Sequence, residues 1–187
     1  MRGVAAGKSW ILVVATVAVA GIVAVVVAIA VIYSGVINIS ALHRENALTR
    51  WVLHNTMEKS VERRAARISV PASHDQETLR EGFSHFREMC VTCHGAPGIE
   101  RSEIGKGLRP RAPDLAEAGE ELSEAEVYWI VGNGIRMTGM PAFAPTHNEK
   151  QLWGLAAFVR GLHRMSPQEY AERVRSSRPE DGHSHHH

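Results

Sequence analysis

The chain has 187 residues, a length that predicts one compact domain with short accessory segments. Its 21 Lys and Arg residues nearly balance its 20 Asp and Glu residues, so the formal net charge is +1. This near neutrality gives no basis for a nucleic-acid partner. The chain has only two cysteines, which do not supply the second ligand pair that a structural zinc site needs.

An apolar run without charges extends from Trp10 to Tyr33, after Arg2 and Lys8. As a helix its 24 residues would span about 36 Å, enough to cross a bilayer. The aromatic residues at its ends suit the two membrane interfaces, and the preceding basic residues place the N-terminus in the cytoplasm. We predict a retained single-pass anchor in a bacterial inner membrane, with the following residues in the periplasm. A signal peptide cleaved after Ala30 is the alternative.

A partly helical connector is predicted after the anchor. Trp51, Leu53, Met57 and Val61 are spaced so that several fall on one helical face, and Pro71 ends any helix before the next element. Three interpretations are open: a stalk that docks on a partner subunit, a helix that packs on the chain's own next domain, or a solvated spacer. The excess of basic residues is a weak signal for anionic lipid headgroups.

The motif with the clearest chemical meaning is Cys-Val-Thr-Cys-His at residues 90–94. Two cysteines separated by two residues and followed by histidine are the attachment signature of a c-type haem. Cys90 and Cys93 would form thioethers with the two vinyl groups of one haem, and His94 would bind the iron as the proximal ligand. A redox dithiol is the alternative, but it needs a βαβ context, and the flanking pattern is helical.

Helical patterns lie on both sides of this motif. A helix capped by Ser73 or Asp75 is predicted to run into it, and Gly82 within that helix predicts a close helix crossing. A capping box at Ser123 begins a third helix, and a final apolar stripe predicts a helix over residues 148–162. No strand pattern follows the anchor, so the predicted fold class is all-α.

The second iron ligand decides which chemistry is possible. A methionine on the far side of the haem closes the iron, raises its reduction potential and favours electron transfer. Met140 is the predicted ligand, because Gly139 and Pro141 hold it in a stiff, extended segment, and Met137 is the fallback. Packing of both methionines in the apolar core is the alternative.

Two remaining stretches are predicted to be less regular. Residues 95–114 are rich in Gly and Pro, and they read as a loop that wraps one edge of a porphyrin. Ser166 and Pro167 predict a short helix to about Arg175. The terminal run from His183 to His187 is interpreted as a flexible end or a purification remnant, with a metal-binding tail as the alternative.

Residues from about Asp75 to Met165 resemble a class I cytochrome c of the small bacterial monohaem kind. The resemblance rests on the helix with Gly82 and Phe86, Cys90–Gly95, Gly107–Pro110, Pro113–Leu115, Gly139–Phe143 and the terminal helix with Leu152 and Trp153. It implies three main helices around one covalently bound haem c, with the first and last helices crossing near Gly82 and Trp153. It also implies that the carbonyl of a loop proline, Pro110 or Pro113, accepts a hydrogen bond from His94.

The predicted organisation has four parts. They are an N-terminal membrane anchor (1–35), a partly helical connector (36–74), a cytochrome c haem domain (75–165), and a short helix with a histidine-containing tail (166–187). The resemblance implies a carrier of single electrons that exchanges them with redox donor and acceptor proteins. It would act as a tethered shuttle or as a haem relay subunit of a membrane respiratory complex, and it would not be an enzyme on its own. The alternative is a haem-based gas sensor or enzyme whose methionine ligand is labile or absent.

Overall fold

The computed structural model describes residues 3–43 and 46–177, and the chain divides between residues 44 and 45 into two compact units. Neither described range contains a strand. The predicted all-α fold class is therefore confirmed. The sequence predictions above also used Arg2 and the terminal run from His183 to His187. These residues lie outside the described ranges.

The first unit is built around one long apolar helix, α1 (Gly3–Tyr33). Within it, the segment Trp10–Tyr33 has 24 residues and a mean hydropathy of 3.0, and no residue of its most apolar stretch is buried. At a rise of 1.5 Å per residue, this segment is long enough and apolar enough to cross a membrane. The residues that follow the helix keep apolar side chains exposed at Val36, Ile37 and Ile39.

The second unit consists of short helices joined by loops. In chain order they are α2 (Ala47–Ala65), α3 (Gln76–His85), α4 (Val91–His94), α5 (Glu103–Gly107), α6 (Leu115–Glu121), α7 (Glu124–Asn133), α8 (Glu149–Gly161) and α9 (Pro167–Ser176). A wide π-helical turn, Phe86–Cys90, joins α3 to α4. A 3₁₀ turn, Leu162–Arg164, extends α8.

Side-chain caps set where the longer helices begin. Asp75 caps α3 by accepting a hydrogen bond from the Thr78 N–H at 2.6 Å, so Asp75 and not Ser73 is the cap. Capping boxes begin α7 at Ser123, α8 at Asn148 and α9 at Ser166. Each cap satisfies backbone N–H groups that have no partner within the helix. The starts predicted from these motifs are confirmed.

Helices α5 and α6 were not predicted. Both are short, and α5 lies within the stretch interpreted as loop. Each begins at a side-chain cap: Ser102 accepts from the Gly105 N–H, and Asp114 accepts from the Ala116 N–H. Helices of five and seven residues have too few turns to show an apolar period, which explains why pattern analysis missed them.

The core of the second unit is the crossing of α3 and α8. The backbones approach so closely at Gly82 and Gly154 that a Cβ atom on Gly82 would overlap the Gly154 backbone, and a Cβ on Gly154 would overlap the Thr78 carbonyl. The close helix crossing predicted at Gly82 is therefore present, and its partner is Gly154, the residue that follows Trp153. Buried side chains on both sides of the crossing include Phe86 and Leu155.

Helix α2 packs on α7 with its C-terminal half only. Val61 and Ala65 are buried, and the Arg64 guanidinium lies 5.8 Å from the centre of the Trp129 ring. By contrast, Trp51 and other apolar side chains of the first two turns are exposed. Of the three interpretations of the connector, packing on the chain's own next domain holds for this half of the helix.

Helix α9 also belongs to the packed body. The Tyr170 ring is 1% exposed and meets Phe83 and Phe86 edge-on, with ring centres 5.9 and 6.4 Å apart. The predicted boundaries after residues 74 and 165 each cut through packed contacts, because α2 and α9 both contribute to the same unit. The sequence left three interpretations of the packing of α2 open and gave none for α9.

Candidate functional site

The Cys-Val-Thr-Cys-His motif lies at the end of a continuous helical path. Cys90 is the last residue of the π-helical turn, while Cys93 and His94 lie on α4. Residues three apart on a helix are neighbours on its surface, so the two thiols lie on one side of this path. Gly95 ends α4 with φ +75°, and a Cβ atom there would come within 2.6 Å of the Ile99 carbonyl oxygen. Glycine is therefore required where the chain turns away from the motif.

The two cysteines differ in environment although neither is in a disulfide. Cys90 is buried and Cys93 is half-buried. Burial, with a smaller contribution from Cys93, raises the pKa of the Cys90 thiol to about 12. Since the thiolate is the reactive form of cysteine, Cys90 is inert in this fold. That property does not suit a redox dithiol.

The imidazole of His94 has one nitrogen occupied by a backbone carbonyl. Its Nδ1 lies 3.0 Å from the Pro113 oxygen, which can only accept, so Nδ1 carries the proton and Nε2 keeps a free lone pair. Burial lowers the pKa of His94, and the Pro113 bond opposes that shift without cancelling it. The ring is therefore neutral at pH 7. Pro113, and not Pro110, is the loop proline whose carbonyl reaches His94.

The loop that carries Pro113 is fixed directly to the motif. Ser102 donates from Oγ to the Thr92 carbonyl at 2.7 Å and from its backbone N–H to the same oxygen at 3.1 Å. Gly105 packs so tightly that a Cβ atom would lie 2.7 Å from the carbonyl oxygens of Thr92 and Cys93. These contacts hold the loop against α4 and so bring Pro113 within reach of the histidine.

The structure separates the two candidate methionines. Met140 is half-buried and packs against the apolar core, and its N–H donates to Thr138 Oγ1 at 3.0 Å. Met137 is 90% exposed and has a positive φ of 62°. A thioether inside the protein can reach an enclosed cofactor, whereas an exposed one faces solvent. The geometry thus favours Met140 and gives no support to the fallback.

The Met140 segment packs against both the loop and α7. A Cβ atom on Gly139 would lie 2.6 Å from a methyl carbon of Leu108, which belongs to the loop. The chain then folds back on the end of α7, where the Phe143 N–H donates to the Val131 carbonyl at 3.1 Å. At Gly134, φ is +65° and a Cβ atom would come within 2.8 Å of the Met140 oxygen. Glycines thus permit the close contacts that surround Met140.

The residues present fit a covalently attached haem. They comprise two free thiols one helical turn apart, a neutral imidazole with an available Nε2, and the thioether of Met140, which is half-buried against the core. In addition, Arg101 Nε is buried without a hydrogen-bond partner among residues 3–43 and 46–177, a donor that an acidic group of a cofactor would satisfy. Within the same ranges, no group of three His, Cys, Asp or Glu residues is placed to hold a metal ion.

Comparison with protein families identifies this part of the chain as a c-type cytochrome domain, which confirms the predicted class. The matching family is described as Cytochrome C oxidase, cbb3-type, subunit III, and the match covers residues 77–159. Its span includes Cys90, Cys93, His94 and Met140, whereas α1, α2 and α9 lie outside it. No curated protein matches the chain. A domain of this class binds haem c and carries out haem-based electron transfer.

Sequence reasoning missed two residues that build the site and gave a third no contact. Ser102 and Gly105 hold the loop against α4, and Leu108, which lies in the Gly107–Pro110 stretch of the resemblance, packs on the Met140 segment. Ser102 directly before Glu103 was a usable signal, because serine followed by an acidic residue is a common helix start. For Gly105 and Leu108 the sequence carried no such signal, since their roles arise from contacts between separate segments.

Proposed function

We propose that the chain is a membrane-anchored monohaem cytochrome that carries single electrons between respiratory-chain components on the periplasmic side. In this proposal Cys90 and Cys93 would hold one haem c covalently, and His94 and Met140 would bind its iron. The observation that carries it is the hydrogen bond from His94 to the Pro113 carbonyl beside two free thiols, because this bond leaves Nε2 available to a metal.

The roles of the side chains follow from their contacts. When bound, haem c supplies a one-electron iron couple. Pro113 fixes the orientation of the His94 ring and increases its basicity as a ligand. Met140 would close the opposite side, and its half-buried position limits the access of water and small ligands. A closed, rigid ligand set changes little between oxidation states, which suits electron transfer rather than catalysis on a substrate.

The burial of Cys90 bears on when the thioethers form. A thiol that belongs to the buried core, as Cys90 does, is closed to an incoming reagent. Attachment must therefore precede complete folding, as it would in a chain exported unfolded. This order agrees with the proposed location of the second unit in the periplasm.

The membrane placement rests on α1. Its apolar segment Trp10–Tyr33 follows Arg2 and Lys8 in the sequence, and positive residues favour the cytoplasmic side. We therefore infer a single-pass anchor with the N-terminus in the cytoplasm. The matching family is described as an oxidase subunit, which supports a haem relay within a larger complex. The tethering of the domain to a single anchor supports a shuttle equally.

A potentiometric titration of the full chain in detergent tests the electron-carrier proposal. We expect one haem to titrate along a single one-electron curve, with about 59 mV for each tenfold change in the ratio of oxidised to reduced protein. Absence of a reversible transition would contradict the proposal. Purification in mild detergent then distinguishes the two forms: stoichiometric companion subunits indicate a relay, and a lone chain indicates a shuttle.

A further inference from the structure

The first two turns of α2 expose an apolar surface that nothing in the second unit covers among the described residues. Leu48 is 70% exposed, Trp51 63% and Val52 45%. We call these three residues the α2 patch. Positions i, i+3 and i+4 share one face of a helix, so the three side chains form one continuous surface.

The α2 patch precedes the residues of α2 that pack on α7, and two of its three side chains point elsewhere. At about 100° per residue, Leu48 and Val52 point well away from Val61 and Ala65, while Trp51 lies between the two directions. On the same side of α2 as Leu48, but later in the helix, lies Lys59, whose Nζ pairs with the Glu62 carboxylate at 2.6 Å. This side of α2 is thus apolar in its first turns and charged in its later turns, and Leu53, also exposed, adds an apolar side chain on another side of the first turns. A lipid contact confined to the start of the helix would produce such a pattern.

We propose that the α2 patch lies on the bilayer surface, next to the point where the chain leaves the membrane. This inference rests on the anchor in the proposed function. Leu48 follows Tyr33 by 15 residues, so a chain segment of at most about 50 Å joins the patch to the end of the anchor, which lets the patch reach the bilayer. Residues between them keep further apolar side chains exposed, including Ile39 and Leu42.

The chemistry of the patch matches a lipid interface better than a protein partner. Tryptophan is enriched at the headgroup level, where its ring meets acyl chains and its N–H meets water. No acidic residue occurs from Ala47 to Met57, while Arg50 is present and suits anionic headgroups. An apolar helix face of this kind enters the boundary between headgroups and acyl chains. Docking would limit the distance and the orientations that the haem domain can adopt relative to the membrane.

Photochemical crosslinking in vesicles tests the inference with the full holoprotein. Benzoylphenylalanine is placed at the position of Leu48 or of Trp51, and at that of Lys59 as the matched control on the charged part of the same side. Each protein is reconstituted without other proteins into vesicles of phosphatidylcholine and phosphatidylglycerol. An unchanged visible spectrum shows that each variant is folded.

We expect irradiation to add one phospholipid to the peptide that contains position 48 or 51. When the photoreactive residue is at position 59, we expect no phospholipid adduct. A covalent dimer through position 48 or 51 would instead identify a second copy as the occupant and overturn the inference. Peptides without a lipid adduct at these positions would also overturn it, since they show a patch that faces water.

Flotation of the same vesicles after a carbonate wash separates the two proposals. A chain that does not float has lost the proposed anchor, and the proposed membrane placement fails. A chain that floats without forming lipid adducts retains the anchor, and only the inference about the α2 patch fails.

Discussion

Replacement of Met140 by alanine is expected to abolish the sulfur-to-iron charge-transfer band of the ferric protein. In the proposed ligand set the half-buried Met140 supplies the thioether, so its removal would leave the iron without a sulfur ligand. We also expect the reduction potential to fall, because methionine ligation raises it. Absorption spectroscopy and a potentiometric titration measure the two effects.

The matched control is Met137→Ala. Because Met137 is 90% exposed, we expect its loss to leave the band and the potential unchanged. The reduced parent protein should resist carbon monoxide without denaturant, and Met140→Ala should bind it rapidly. Fast binding of carbon monoxide by the parent protein would instead favour a gas sensor or an enzyme with an open iron.

Substitution of Gly154 by alanine is expected to produce a large loss of stability for the addition of a single methyl group. A Cβ atom there would overlap the Thr78 carbonyl and lie 3.2 Å from the Gly82 nitrogen, so the backbones of α3 and α8 must move apart. Overpacking of this kind costs about 3 kcal/mol, of which the better helix propensity of alanine restores about 1 kcal/mol. We expect the midpoint of thermal unfolding to fall by roughly 10 °C, as measured by circular dichroism.

Gly161→Ala serves as the control on the same helix. A Cβ atom at Gly161 would meet nothing within 4 Å. We expect this variant to be as stable as the parent or more stable by up to about 1 kcal/mol. If Gly154→Ala also melted at or above the parent temperature, the close crossing of α3 and α8 would not exist in solution.

Features that depend on neighbours in the sequence were predictable. The haem motif, the caps at Asp75, Ser123 and Ser166, and the apolar run of α1 each depend on residues within a few positions of one another. Short-range chemistry of this kind can be read from one sequence. The all-α class followed from these elements together with the absence of a strand pattern.

Features that depend on contacts between distant segments were not predictable. Pro110 and Pro113 are equivalent as residue types, and only the path of the loop decides which carbonyl reaches His94. The same holds for α2, whose apolar residues left three interpretations of its packing open, and for α9, which was predicted as a short helix without a packing partner. The crossing of α3 and α8 is the exception, because the family resemblance implied it near Gly82 and Trp153, although the sequence did not indicate Gly154 as the residue in contact with the α3 backbone.

The mass of the intact mature protein tests the covalent haem most directly. Produced in a host with working haem-ligation machinery, the chain is expected to be coloured and to weigh its amino acids plus one haem. Simultaneous Cys90→Ala and Cys93→Ala substitutions should remove both the colour and the added mass. A parent protein that is colourless and weighs no more than its amino acids would contradict the assignment of Cys90 and Cys93 as haem attachment sites.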